Sequence, residues 1–337
     1  MSTAPNTVSN DFVFNVAVRK ALALKIILSS ASGGGKTRSS LALAAGLIDV
    51  PPNQEAAKLR TYASSWEDVA VVDAENDSAL YYTQTAHDQR EAGLLEIGAF
   101  THVPFLPPYH PQRWIKIIDL CVAKKKKVIV LDGASYEWNG VGGCLDWHRD
   151  LGGQAQHWKT VSPVHTDFIN KIRYCPVPVI VCLRENTEVV IEKIVGTDGR
   201  EKTNVRKVGL KPQQRDGFDY EVDIHLSIDQ QTHAATAAKD RTGLLQPMPP
   251  AVITTETGRL LANWAACGAE PVGSRGWIAS RCAELRAAKT IDDLAALFNL
   301  TKKQVAGLLT EEYQTLLMAA KDEAKARLMG GAAGGGK

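Results

Sequence analysis

The sequence predicts an α/β fold: a mainly parallel sheet flanked by helices, followed by a small C-terminal helical appendage. Three observations carry this expectation. Four short apolar runs recur: A-L-K-I-I-L-S at 23–29, V-A-V-V-D at 69–73, V-I-V-L-D at 128–132 and V-P-V-I-V-C-L at 177–183. They are apolar at nearly every position rather than every second one, as strands covered on both faces are, and helical stretches separate them. From about residue 270 the composition turns Ala- and Leu-rich with no further strand signal.

Residues 1–22 read as an N-terminal tail or covering segment. After the first apolar run comes a glycine-rich turn, then a helix over 37–48 that Pro51 and Pro52 end. A second helical stretch is expected over 78–92. Pro104, Pro107, Pro108 and Pro111 mark a long loop, and 112–124 reads as an amphipathic helix. Residues 157–174 read as another helix. Beyond Arg184 the pattern becomes extended, with arms at 188–195 and 204–210 around T-D-G-R. Strands at 222–228 and 233–238 flank D-Q-Q-T. The core is expected to span 23–250 and the helical region 270–329, with Thr290, Thr301 and Thr310 as N-cap candidates. The Gly/Ala-rich tail 330–337 is expected to be flexible.

The bulk numbers exclude several classes. Of 337 residues, 45% are hydrophobic and 23% charged, and the net charge is +2, so any nucleic-acid site must be a local patch rather than a polycationic chain. Six cysteines are scattered without a C-x-x-C pair, which argues against a structural zinc site and a disulfide framework. His148, His157 and His165 lack ligand spacing and read as ordinary polar residues. With no run of ~18 apolar residues and no signal-peptide pattern, the expectation is a cytoplasmic protein.

The strongest signal is Ser30-Ala31-Ser32-Gly33-Gly34-Gly35-Lys36-Thr37, between a strand and a helix. Glycines let backbone N–H groups curl round an anion, and the helix N-terminus adds its positive end. This is the P-loop pattern, with Ser30 where the first glycine is expected. Ser32, Gly33, Gly34, Gly35, Lys36, Thr37 and Arg38 form the expected cofactor-binding set for ATP. Lys36 would reach the β- and γ-phosphates, and the Thr37 hydroxyl would ligate Mg²⁺. Asp132, ending an apolar strand, fits a carboxylate that holds Mg²⁺ through water. Glu75, just past V-A-V-V-D, is the candidate base for an attacking water.

The order of P-loop, strand-D-A-E and strand-D resembles RecA-like ATPases. The stretch D-G-A-S-Y-E-W-N-G-V-G-G at 132–143 is similar to phage-encoded members linked to single-strand annealing and recombination, as are K-V-G-L-K-P at 207–212, Q-R-D-G-F-D-Y-E at 214–221 and A-K-D-R-T-G at 238–243. The resemblance covers about 24–245 and departs at Ser30 and Gly133. It implies a RecA-like P-loop NTPase core in which Glu75 is the catalytic base and Tyr82, or its neighbour Tyr81, stacks on adenine. It implies that Lys239 and Arg241, which share a side of a strand, act as catalytic cations on the nucleotide of the next subunit. Arg184 reads equally as a γ-phosphate sensor or a surface arginine.

In that family the loops after the third and fourth strands face nucleic acid. Here they are 133–156 and 184–215. The second carries Arg200, Lys202, Arg206, Lys207, Lys211 and Arg215 for phosphates. The first carries Tyr136, Trp138 and Trp147 for base stacking, and Gly140, Gly142 and Gly143 suggest mobility. The implied function is an ATPase stimulated by single-stranded DNA. It would act as a homo-oligomeric ring or filament in recombination or annealing, with a recombination or replication partner protein, in a bacterial or phage-infected cell. A hexameric DnaB-type motor and a nucleotide-gated protein scaffold are the alternatives.

Overall fold

The computed structural model describes residues 21–51, 62–83, 96–195, 201–266, 275–304 and 311–332. The strands are β1 (Lys25–Ser30), β2 (Val69–Asp73), β3 (Thr101–Pro104), β4 (Val128–Asp132), β5 (Val179–Val195), β6 (Glu201–Pro212), β7 (Ile224–Ile228), β8 (Ala234–Asp240) and β9 (Ala251–Val252). The helices are α1 (Lys36–Leu47), α2 (Pro111–Ala123), α3 (Tyr136–Asn139), α4 (Cys144–Asp150), α5 (Trp158–Arg173), α6 (Thr255–Ala266), α7 (Arg275–Ala287), α8 (Ile291–Gln304) and α9 (Glu311–Ala332). The fold is α/β, a mostly parallel mixed sheet flanked by helices.

The sheet runs β3-β2-β4-β5-β1-β7-β8-β9, with β6 paired to β5. Strands β3 through β7 in that order are parallel; β8, β9 and β6 pair antiparallel. The apolar runs are central because both of their faces are covered. Val69 and Val71 join a core with Leu41, Ala44 and Leu261 on one side of the sheet. Ala70 and Val72 join Trp114, Ile118 and Phe168 on the other. Gly46 of α1 lets α6 come close, since a Cβ there would lie 2.7 Å from Gly258 Cα.

The structure differs from the sequence expectation in several places. β3 lies in the stretch expected to be loop; it is only four residues long, at a sheet edge and half-buried, so it lacks the fully apolar signature. The fourth apolar run and the first hairpin arm are one continuous strand, β5. The expected helix at 78–92 is described only as a short 3₁₀ turn, Ser78–Tyr82; residues 84–95 lie outside the described residues. Lys126 and Lys127 tie the exit of α2 to its neighbours, Lys126 Nζ donating to Thr101 Oγ1 at 2.7 Å and Lys127 Nζ to Ala63 O at 2.7 Å.

Residues Ala23–Ala265 form one compact unit. In the second unit, α7, α8 and α9 pack around Trp277, Ile278, Leu285, Leu294 and Leu317. Thr290 caps α8 by accepting from Asp293 N at 3.0 Å. Thr301 is no cap: it lies inside α8 and donates to Leu297 O. Thr310 lies outside the described residues. No described helix is long and apolar enough to cross a membrane.

Candidate functional site

Parallel pairing brings the C-terminal ends of the central strands to one edge, with Ser30 opposite Arg184 and Asp73 opposite Asp132. In open α/β sheets that edge is where ligands bind. The glycine-rich loop leaves β1 there and opens α1. Gly33 and Gly35 have φ of 81° and 84°, a left-handed backbone that glycine adopts without strain. Lys36 Nζ lies back along the loop, donating to Ser30 O at 3.2 Å and Ala31 O at 3.1 Å. These partners are carbonyls, so an entering anion offers the buried ammonium its first formal counter-charge within the loop.

Ser30, the departure from the motif, is accommodated. Its hydroxyl donates to Ala31 O at 2.7 Å and accepts from Lys36 at 3.3 Å. Gly34 is what leaves it room: a Cβ on Gly34 would come within 2.8 Å of Ser30 Cβ.

Asp132 ends β4, and β5 lies between it and β1. The Thr37 hydroxyl, from the first turn of α1, reaches across and donates to Asp132 Oδ2 at 2.7 Å. Asp132 is fully buried, and its Oδ1 has no hydrogen-bond partner among the described residues. Burial pushes its carboxyl up to about 7, assisted by the charges of Glu75 and Asp73; the Thr37 hydrogen bond and Lys36 oppose this. A hydroxyl beside a buried carboxylate with an orphaned oxygen fits a hard, oxygen-seeking cation such as Mg²⁺.

Glu75 is held at the same edge. Asp73 accepts from Glu75 N at 2.7 Å and from Ala79 N at 2.9 Å, folding the turn that carries it. Arg184 donates to both Glu75 carboxylate oxygens at 2.9 Å and stacks over the Tyr136 ring, 4.7 Å from its centroid. Gly133, where the resemblance favours a hydroxyl residue, allows this approach: a Cβ there would meet Glu75 Cγ at 2.9 Å. Tyr82 is half-buried, and burial raises its phenol pKa, with Asp132 adding to the effect and Arg38 opposing it. Tyr81 is exposed.

Other expected residues fall elsewhere. Lys239 on β8 donates to Asp219 O and Tyr220 O, and Arg241 just beyond it also donates to Tyr220 O, so the two do project together. Trp138 stacks on Trp158 at 5.6 Å and against His165 at 5.2 Å. With Trp158, Gln214, Arg215 and Asp216 it lines an open cleft of about 430 Å³. Tyr136 is stacked on Tyr109 and Trp147 packs on His110. Gly140 and Gly143, expected to make a mobile loop, instead permit close packing: a Cβ on Gly143 would lie 2.6 Å from Tyr136 O. Arg200 lies outside the described residues, as do the side chains of Lys202, Arg206 and Lys207.

Two features gave no signal in the sequence. The β7–β8 turn leans on the loop, with Gln230 Nε2 donating to Ser32 O at 2.7 Å. Beneath the loop, buried Ser29 donates to Glu185 Oε1 at 2.5 Å and meets His225 Nε2 at 2.7 Å. Strands β1, β5 and β7 bring these three together from distant positions, which no local motif reveals. No protein-family model matches the chain, and no curated protein matches it.

Proposed function

We propose that this chain is a RecA-like P-loop ATPase that binds Mg·ATP and hydrolyses it in response to single-stranded DNA, acting as a homo-oligomer in recombination or annealing with a recombination or replication partner protein. One observation supports the reading most: Thr37 Oγ1 bonds Asp132 Oδ2 at 2.7 Å across an intervening strand, directly behind a glycine-rich loop that carries Lys36. A phosphate cradle, an ammonium and a paired hydroxyl and carboxylate together serve a nucleotide with its metal, and each alone would not.

In this reading the loop N–H groups and Lys36 bind the phosphates. Thr37 would ligate Mg²⁺ and Asp132 would hold it through water, and the ion would supply positive charge to offset that of the phosphates. Glu75 accepts the proton of the attacking water. Tyr82 borders the base site. Lys239 and Arg241 serve the nucleotide of a neighbouring copy. Trp138, Trp158 and Arg215 around the cleft offer ring faces and a cation of the kind that hold single strands, and Arg200, Lys202, Arg206 and Lys207 supply phosphate contacts.

The test is steady-state ATP turnover with and without single-stranded DNA at two salt concentrations. The reading requires stimulation that fades as salt rises, because phosphate contacts release counterions. A rate indifferent to DNA at both concentrations would contradict it.

A further inference from the structure

Away from the glycine-rich loop, the described residues bring together a buried trio of metal-ligating side chains. Glu137 on α3, Cys144 at the start of α4 and His165 on α5 are all buried, the first two with no exposure and His165 4% exposed. Their donor atoms lie within 4.8 Å of one another. Cys144 Sγ is 3.1 Å from Glu137 Oε1, His165 Nδ1 is 3.0 Å from the same oxygen, and Sγ and Nδ1 are 3.9 Å apart. The spacing 137, 144 and 165 matches no linear zinc motif, which is why His165 reads in the sequence as an ordinary polar residue.

We propose that Glu137, Cys144 and His165 form a zinc site. Thiolate, imidazole and carboxylate are the three donors Zn²⁺ takes from proteins. With Zn–S, Zn–N and Zn–O bonds of ordinary length at tetrahedral angles, the donors stand about 3.3–3.6 Å apart. The observed edges of 3.0, 3.1 and 3.9 Å depart from that triangle by a few tenths of an ångström, which side-chain rotation absorbs without backbone movement.

The surrounding residues suit the role. Gln214 Nε2 donates to Glu137 Oε2 at 3.2 Å, fixing the oxygen that His165 Nδ1 also meets at 3.2 Å, while Oε1 faces both the sulfur and the nitrogen. Such outer partners orient ligands in metal sites. The Trp138 ring packs against His165 and holds its plane. Gln214 also lines the open cleft beside Trp138 and Trp158, which gives ions and water an approach. Three protein donors leave the fourth position to water.

Coordination needs the thiolate, so the Cys144 proton leaves to solvent, and the remaining imidazole proton sits on Nε2. The metal would pin the segment after β4, which carries Trp138, to α5. It is independent of the nucleotide reading, because none of the three residues belongs to that site.

The experiment is a cobalt(II) titration of the metal-stripped full-length protein, followed by absorption, with zinc content of the untreated protein measured alongside. The site predicts about one equivalent of metal per chain and a thiolate-to-cobalt charge-transfer band with tetrahedral ligand-field bands. Cys144→Ser should remove the charge-transfer band while circular dichroism stays native, and Cys282→Ser should keep it. A folded wild-type protein that gives no such band, or a band that survives Cys144→Ser, overturns the proposal.

Discussion

Arg184 grips Glu75 with two hydrogen bonds of 2.9 Å, one to each carboxylate oxygen. While both oxygens accept from the guanidinium, the carboxylate is poorly placed to take a proton from water. Arg184 sits where β5 leaves the central sheet for its pairing with β6, so under the proposed function DNA bound on that hairpin would act on Glu75 through one side chain. Arg184→Ala is therefore expected to raise DNA-independent turnover several-fold and to remove most of the stimulation. Glu75→Gln should lose roughly 10²–10⁴-fold, the worth of a general base. If Arg184→Ala falls as far as Glu75→Gln, the arginine serves the substrate directly and does not restrain the base.

The raised Asp132 carboxyl makes a pH prediction for the metal-free protein. Its folded pKa of about 7 lies above the unfolded value, so the folded state holds the proton more tightly. The resulting stabilisation is complete below the ordinary carboxylate range and is lost as pH rises through about 7, on the order of a few kcal/mol. Scanning calorimetry at pH 5 and pH 8, without divalent ions, should give a steeper loss for wild type than for Asp132→Asn. Equal slopes would mean the carboxyl is not proton-linked to folding.

Ser30 and Gly34 make a paired test of the loop. Gly34→Ala drives a Cβ into the Ser30 side chain, but the next nearest atom is Ala31 O at 3.4 Å, an ordinary contact. The single variant should lose nucleotide binding, and Ser30→Gly with Gly34→Ala should regain most of it. A double variant no better than the single one would show that the loop fails for another reason.

Lys239 and Arg241 bond backbone carbonyls of their own chain, so a role on another copy's nucleotide is a matter for mixing. Arg241→Ala should lower turnover by about 10³-fold or more, the scale of an arginine finger, with ATP binding retained. Mixing it with Lys36→Ala subunits should restore part of the rate, because some interfaces then join an intact loop to an intact arginine. No recovery at any ratio would remove the trans assignment.

The central strands could be read from the sequence because sheet strands buried on both faces leave unbroken apolar runs, as Val69–Asp73 and Val128–Asp132 do. The turn from β1 into α1 was legible because glycines between an apolar run and a helical stretch mark a turn, and the place of Asp132 because it ends an apolar run. β3 was not, because a four-residue edge strand ending in Pro104 carries almost no pattern. Nor were the partnerships made by topology. Arg184 with Glu75, Ser29 with His225, and Glu137 with Cys144 and His165 are contacts between distant segments, and only the fold brings them together.

Binding of Mg·ATP at the loop of Lys36 and Thr37 is decided by isothermal titration of the wild type and Lys36→Ala. Wild type should bind ATP only weakly without Mg²⁺ and more tightly with it, and Lys36→Ala, shown to be folded by circular dichroism, should lose about tenfold or more in affinity, at least ~1.4 kcal/mol. A wild-type protein that binds no ATP, or a Lys36→Ala variant that binds it equally well, would show that the loop is not a nucleotide site.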